Sequence, residues 1–264
     1  MNQSERRYYI EKKIRKDKRV EIEDLSKELD VSEMTIRRDL KYLETLGILN
    51  LVSKGAILNS FNDFDSIDDT LKTRTMQNIN EKKIIAKYAC DFIEDGDIIF
   101  LDASTTVYEM CPHLINKNIT IVTNSIRIAQ YFNTVKNITI ILTGGMLRYA
   151  TLSLIGVDSE ESLNKYNTNK VFMSSKAISL SNGITDVNIF EINTKKIAIK
   201  NTNEVILLLD SSKLDKVSLQ KVCNISEISK FIVNKKDYSP SEAKLLKEIE
   251  KQGVSLILAD ADLQ

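Results

Sequence analysis

The chain has 264 residues, 42% of them hydrophobic and 28% charged, which supplies one or two substantial cores and excludes a disordered, collagen-like or small disulfide-stapled protein. Lys+Arg 37 balances Asp+Glu 37, so the formal net charge is zero, which argues against a protein that coats nucleic acid or an anionic membrane. Three scattered cysteines (Cys90, Cys111, Cys223) lack metal-ligand spacing and a single His113 cannot complete a zinc set, so the cysteines read as buried or idle thiols of a reducing cytoplasm; no cofactor is expected. No apolar run approaches the roughly 20 residues that span a bilayer, and Met1 to Ile10 is polar, so the expectation is a soluble, cytoplasmic protein without a membrane partner.

The zero is an average. Met1 to Arg19 holds eight basic and three acidic residues, and of the nine arginines six fall at or before Arg38. Guanidinium is the planar fork that binds phosphate and guanine edges, so its concentration in one short segment suggests an anionic partner there, with a solvated helix face as the plainer alternative.

In chain order, Ile10 and Ile14 lie one turn apart, Ile22, Leu25 and Leu29 repeat at helical spacing, and a third stripe runs through Ile36, Leu40 and Leu43. Ser32 stands as N-cap of that third helix, Val31 and Ile36 occupy staple positions, and Gly47 is placed to stop it. The very short turn at Asp30-Val31 makes the second and third helices a helix-turn-helix, and Ile48 to Val52, Lys54-Gly55 and Ala56 to Leu58 read as a two-stranded wing. Ser32 and Thr35 suit phosphate contacts, Arg37, Arg38 and Lys41 divide between phosphates and bases, Lys54 sits in the wing turn, and Asp39 is expected to pair with an arginine of the same module.

Asn59 to Asp69 is polar, acidic and aperiodic, giving a division into a DNA-binding module at 1–58, a linker at 59–77 and a second domain at 78–264. The second domain alternates helices with apolar runs at Ile98–Leu101, Ile119–Val122, Ile138–Leu142, Val171–Met173, Val205–Leu209, Phe231–Val233 and Val254–Leu258, the pattern of a mostly parallel α/β sheet covered on both faces. Polar clusters follow several strands: Asp102-Ala103-Ser104-Thr105-Thr106, Thr123-Asn124-Ser125, Thr143-Gly144-Gly145 with Arg148, and Asp210-Ser211-Ser212-Lys213. Each alone reads as ordinary capping or turn chemistry; recurring at successive strand ends, they favour a convergent pocket for a phosphorylated polyol. No G-x-G-x-x-G or Walker loop is present, which argues against dinucleotides and nucleoside triphosphates.

Arg6, Ile10, Ile14 and then Ser32, Thr35, Ile36, Arg37, Arg38, Asp39 and Leu40 stand at the spacing of the N-terminus of DeoR-type sugar-metabolism repressors, which the chain resembles over nearly its whole length. The resemblance implies a winged helix-turn-helix followed by an effector domain similar to ribose-5-phosphate isomerase and glucosamine-6-phosphate deaminase. It implies double-stranded operator DNA and a phosphorylated sugar as partners and a homodimer or homotetramer as assembly, and it places Asp102, Ser104, Thr105, Thr106, Asn124, Ser125, Gly144, Gly145, Arg148 and Lys213 at the sugar phosphate. Glu191, in a weaker family pattern with Lys195, could accept sugar hydroxyls or serve as a helix cap. Departures are Leu51-Val52-Ser53-Lys54-Gly55-Ala56 in place of Arg-x-His-Gly-Gly-Ala, Ser104 in place of Gly, and Met173-Ser174-Ser175-Lys176-Ala177 in place of a Gly-rich string. Lys176 implies a more anionic ligand or an altered pocket. A sugar-phosphate isomerase or deaminase with Asp102 or Glu191 as base is the alternative, disfavoured because Lys176 stands where those enzymes carry an acid.

Overall fold

The computed structural model describes residues 3–45, 48–58 and 71–261, and the chain divides into two compact units, 1–67 and 68–264. Gly47 and the Asn59–Asp69 segment lie outside the described residues. Among the described residues no helix is long and apolar enough to cross a membrane.

The first unit carries α1 (Gln3–Asp17), β1 (Arg19–Glu21), α2 (Ile22–Leu29), α3 (Glu33–Thr45), β2 (Leu49–Val52) and β3 (Gly55–Leu58). Ile10, Ile14, Leu25, Ile36, Leu40 and Leu49 are fully buried in one cluster, so the three helical stripes meet as their periodicity requires. Asp30 ends α2 in the left-handed region at φ 49°, a conformation Asp tolerates better than most residues, and α3 begins three residues later at Glu33. The wing is three-stranded, not two-stranded: β1 pairs antiparallel with β3 in the order β1-β3-β2. Three residues on a basic segment carry too little alternation to announce a strand.

Gly55 is fixed by that extra strand. A Cβ there would stand 2.0 Å from the Val20 carbonyl oxygen and 3.0 Å from Glu21 Cα, both main-chain atoms that cannot step aside. Gly55→Ala is expected to destabilise the first unit by about 2 kcal/mol, the range of overpacked cores. Hydrogen exchange should show lost protection in 3–58 and unchanged protection in 71–261.

The second unit opens with α4 (Leu71–Met76) and α5 (Ile79–Cys90). α4 corrects the reading of 59–77 as linker throughout: six residues with none buried give no apolar stripe from which a helix could be inferred. The seven apolar runs become β4 (Ile98–Leu101), β5 (Ile119–Thr123), β6 (Ile138–Leu142), β9 (Thr168–Met173), β12 (Thr202–Leu209), β14 (Lys230–Asn234) and β15 (Ser255–Ala259). They form one parallel sheet, ordered β15-β14-β12-β9-β4-β5-β6. Alternate residues feed opposite cores: Val205, Leu207 and Leu209 join one cluster while Ile206 and Leu208 join the other, as a sheet covered on both faces demands.

Two small antiparallel sheets are inserted, the hairpin β7 (Met146–Arg148) with β8 (Ser153–Ile155), and β10 (Ala177–Ser179), β11 (Gly183–Asp186) and β13 (Gln220–Cys223). Helices α6 (Thr105–Tyr108), α7 (Cys111–Leu114), α8 (Ile126–Tyr131), α9 (Val157–Leu163), α10 (Ile189–Lys200) and α11 (Pro240–Lys251) complete the unit. From β4 the sheet grows through β5 to β6, and the chain then returns to lay β9 on the other side of β4. That reversal opens a crevice at the carboxyl ends of β4 and β9, where open α/β sheets bind ligands.

Candidate nucleic-acid interface and ligand cavity

On α3, the buried stripe Ile36, Leu40 and Leu43 leaves Arg37, Arg38 and Lys41 exposed together, and Lys54 is exposed in the turn between β2 and β3. Ser32 caps α3, its hydroxyl accepting from the Thr35 N–H at 3.3 Å and lying 3.0 Å from the Thr35 hydroxyl. Asp39 is fully buried and faces inward: Arg6 Nε donates to it at 2.6 Å and Arg7 Nε at 2.8 Å, with the Arg7 guanidinium also 3.7 Å from the Tyr42 ring centroid. Two of the six early arginines therefore tie α1 to α3 and are not offered to a partner. What remains on the exposed face of α3 is a short cationic row at the spacing that a helix presents to a major groove.

At the sheet reversal, Asp102 bridges the two strand ends. Its Oδ1 accepts from the Ser104 N–H at 2.9 Å and its Oδ2 from the Ser174 N–H at 3.0 Å. A cavity beside it is lined by Ser104, Thr105, Thr106, Ser174, Ser175 and Lys176 from the two strand ends, Asp186 and Lys195, Asp210 and Lys213, and Arg74, Gln77 and Lys82 from α4, the residue following it, and α5. A second, adjoining cavity shares Arg74, Ser104, Asp186 and Lys195 and adds Asp102, Ala103, Thr151, Asn188 and Glu191. The first is rich in cations and hydroxyls, the second in carboxylates and hydrogen-bonding groups.

Electrostatics differ between the two. Burial would raise the Asp186 carboxyl, but the Lys195 ammonium 2.5 Å away holds it below the usual carboxylate range, and burial would lower Lys195 had Asp186 and Asp102 not raised it. Asp102, 3.9 Å from Lys195, is pushed up by burial. Lys82, 5% exposed, is drawn down to about 8 by burial, and its ammonium donates to the Arg74 carbonyl.

Of the twelve effector candidates, the structure brings Ser104, Thr105, Thr106, Lys176 and Lys213 to the first cavity and Asp102 and Glu191 to the second. Arg148 lines neither; it donates to Thr151 at 3.1 Å and lies 3.4 Å from Glu191, whose Oε1 also accepts from the Thr151 and Ser153 hydroxyls at 2.9 and 2.6 Å. Glu191 is thus the clasp that holds the β7–β8 hairpin to α10. Asn124, Ser125, Gly144 and Gly145 line neither cavity. Asn124 donates to the Leu154 carbonyl, Ser125 caps α8, and a Cβ on Gly145 (φ 102°) would meet the Ile155 carbonyl at 2.7 Å. Their strands, β5 and the edge strand β6, stand one and two places from the reversal, and the intervening hairpin occupies their ends.

Arg74, Gln77, Lys82, Asp186 and Asp210 enter the cavities without having been nominated. Arg74 carried one usable signal, being among three arginines outside the N-terminal segment. Asp210 stands in the strand-end cluster that also holds Lys213, whereas Gln77, Lys82 and Asp186 lie in ordinary turn, helical and strand contexts and are assembled only by the fold.

Residues 6–61 match the DeoR-like helix-turn-helix domain family and residues 77–235 match the DeoR C terminal sensor domain family. The chain belongs to the DeoR family of transcriptional regulators. It is 37% identical over 76% of its length to the HTH-type transcriptional regulator IolR of Bacillus subtilis, covering 78% of that protein, and 32% identical over 92% to the lactose phosphotransferase system repressor of Staphylococcus epidermidis, covering 96% of it. Among solved structures, ribose 5-phosphate isomerase A from Methanocaldococcus jannaschii matches at 19% identity over 52% of this chain and 55% of that chain, with a TM-score of 0.40.

For an anion placed in the first cavity of this DeoR-family sensor unit, Lys82 would make binding and ligand-free stability respond to pH with opposite signs. Its folded-state pKa of about 8 lies below lysine's ordinary 10.5, so between those values the folded chain holds fewer protons than the unfolded one and ligand-free stability rises with pH. An anion needs the ammonium, so its affinity falls over the same window. Sulfate, whose charge is constant there, is expected to bind progressively more weakly from pH 7.5 to 9.5 by calorimetric titration, and Lys82→Met should flatten that dependence.

Proposed function

We propose that this DeoR-family protein is a cytoplasmic, homo-oligomeric repressor of a sugar-metabolism operon, and that a phosphorylated sugar in the cavity between β4 and β9 alters its affinity for operator DNA. The observation that carries the reading is one chain holding both an exposed Arg37, Arg38 and Lys41 row on the second helix of a helix-turn-helix and a cavity at the sheet reversal lined by Arg74, Lys82, Lys176 and Lys213. The cationic cavity suits a phosphoryl group, and the carboxylates and hydroxyls of the adjoining one suit sugar hydroxyls. The name of the staphylococcal relative, a lactose phosphotransferase system repressor, supports both the sugar and the sign of regulation.

Catalysis is not part of the proposal. Asp102 is 2% exposed with both oxygens accepting main-chain N–H groups, and Glu191 Oε1 takes two hydroxyls and faces Arg148, structural roles that both carboxylates already fill.

Linkage makes the reading measurable: a ligand that weakens DNA binding must itself be weakened by DNA to the same degree. In a thermal-shift screen of sugar phosphates, a ligand at 100 times its dissociation constant adds about 2.7 kcal/mol of apparent stability. Arg74→Met is expected to remove the shift and leave DNA binding in place. Arg37→Ala combined with Arg38→Ala is expected to abolish footprints on the protein's own upstream region at about 0.15 M salt and keep the shift. No preference for that region over random DNA, or no stabilisation by any sugar phosphate, would overturn the corresponding half.

A further inference from the structure

The exposed face of α3 carries, in its first turn, an apolar residue that the cationic row does not explain. Met34, in the first turn, is 66% exposed, two positions from the buried Ile36 and therefore across the helix from the stripe that packs inward. It shares its face with Arg37, Arg38 and Lys41 at i+3, i+4 and i+7. A single exposed Met on an arbitrary surface needs no account, but here its neighbours narrow what the first turn can read. The Ser32 and Thr35 hydroxyls are engaged with each other and with the helix cap, and Arg37 leans toward Glu33 at 3.8 Å. The first turn thus presents an apolar tip ahead of a cationic row. In the major groove, the apolar feature of a base edge is the thymine C5-methyl group.

We propose that Met34 is a specificity-determining residue that packs on the C5-methyl of a thymine, so that each operator half-site carries a T·A pair where the first turn of α3 enters the groove. This rests on the reading of α3 as the recognition helix. Met34 makes no contribution to the core, so its substitution leaves the fold intact and isolates the contact.

The test uses the full chain and duplexes it selects from a random pool, with each thymidine of the selected half-site replaced in turn by deoxyuridine. At one position, loss of the methyl is expected to weaken wild-type binding roughly fourfold, the equivalent of one buried methylene-sized group. Met34→Ala should bind the unmodified duplex more weakly and be indifferent to deoxyuridine at that position, while Met34→Leu should restore sensitivity. Identical deoxyuridine profiles for wild type and Met34→Ala would overturn the contact while leaving α3 as the reader. If no sequence is enriched at all, the recognition-helix reading itself falls, and this assignment with it.

Discussion

Asp102 holds the sensor unit's functional geometry together. A carboxylate that accepts the Ser104 and Ser174 N–H groups joins the segment leaving β4 to the segment leaving β9, two strands that are neighbours in the sheet and 67 residues apart in sequence at their closest ends. Without such a tie the two segments would each carry a buried N–H lacking an acceptor, at about 1–3 kcal/mol apiece. With it, the hydroxyls of Ser104, Thr105 and Thr106 and the Ser174-Ser175-Lys176 string face one space. The same carboxylate sits near Lys195, whose closer partner is Asp186 on β11, so the inserted antiparallel sheet is fastened to the crevice by a buried charge pair. Such a pair is costly to break because the surviving charge remains out of water.

The seven strands were legible because continuous β-branched runs leave little else to be, and the helices of the first unit because their stripes close on one another. The parts that were missed have no hydrophobic run long enough to announce them. β1 exists through main-chain pairing with β3 and through the absence of a side chain at Gly55; α4 buries no residue; β7, β8, β10 and β11 are three or four residues long, and β13 is four. The candidate cavity was legible to the extent that it is local. Ser104 to Thr106 and Lys213 could be found as strand-end clusters, whereas the choice among clusters depended on strand order. Asn124, Ser125, Gly144 and Gly145 have the same local chemistry as Ser104 and differ in standing one or two strands from the reversal.

Charge has to be read residue by residue. The early arginines pointed to an anionic partner, in keeping with a DNA-binding helix-turn-helix domain, but two of the six, Arg6 and Arg7, converge on Asp39 inside the module, the pairing expected for that carboxylate. The neutral total is compatible with the proposed partners because the cations at the two candidate sites are local: Arg37, Arg38 and Lys41 on one helix, and Arg74, Lys82, Lys176 and Lys213 around one crevice. Binding through so few cations favours discrimination over coating, since each neutralised phosphate contributes its own increment of salt dependence.

The covalent path from the first unit to the crevice passes through 59–70 and arrives at α4. That helix buries none of its residues and is seated by polar contacts at the cavity wall: the Arg74 carbonyl accepts from the Lys82 ammonium and the Thr105 hydroxyl, while the Arg74 side chain lines both cavities. An anion bound as proposed above would compete with the Arg74 carbonyl for the Lys82 ammonium, one of the contacts that seat α4. A helix anchored through an apolar face would be indifferent to that competition, because burial does not depend on where an ammonium points. The lack of an apolar stripe that hid α4 in the sequence thus leaves its seating to polar contacts at the cavity wall.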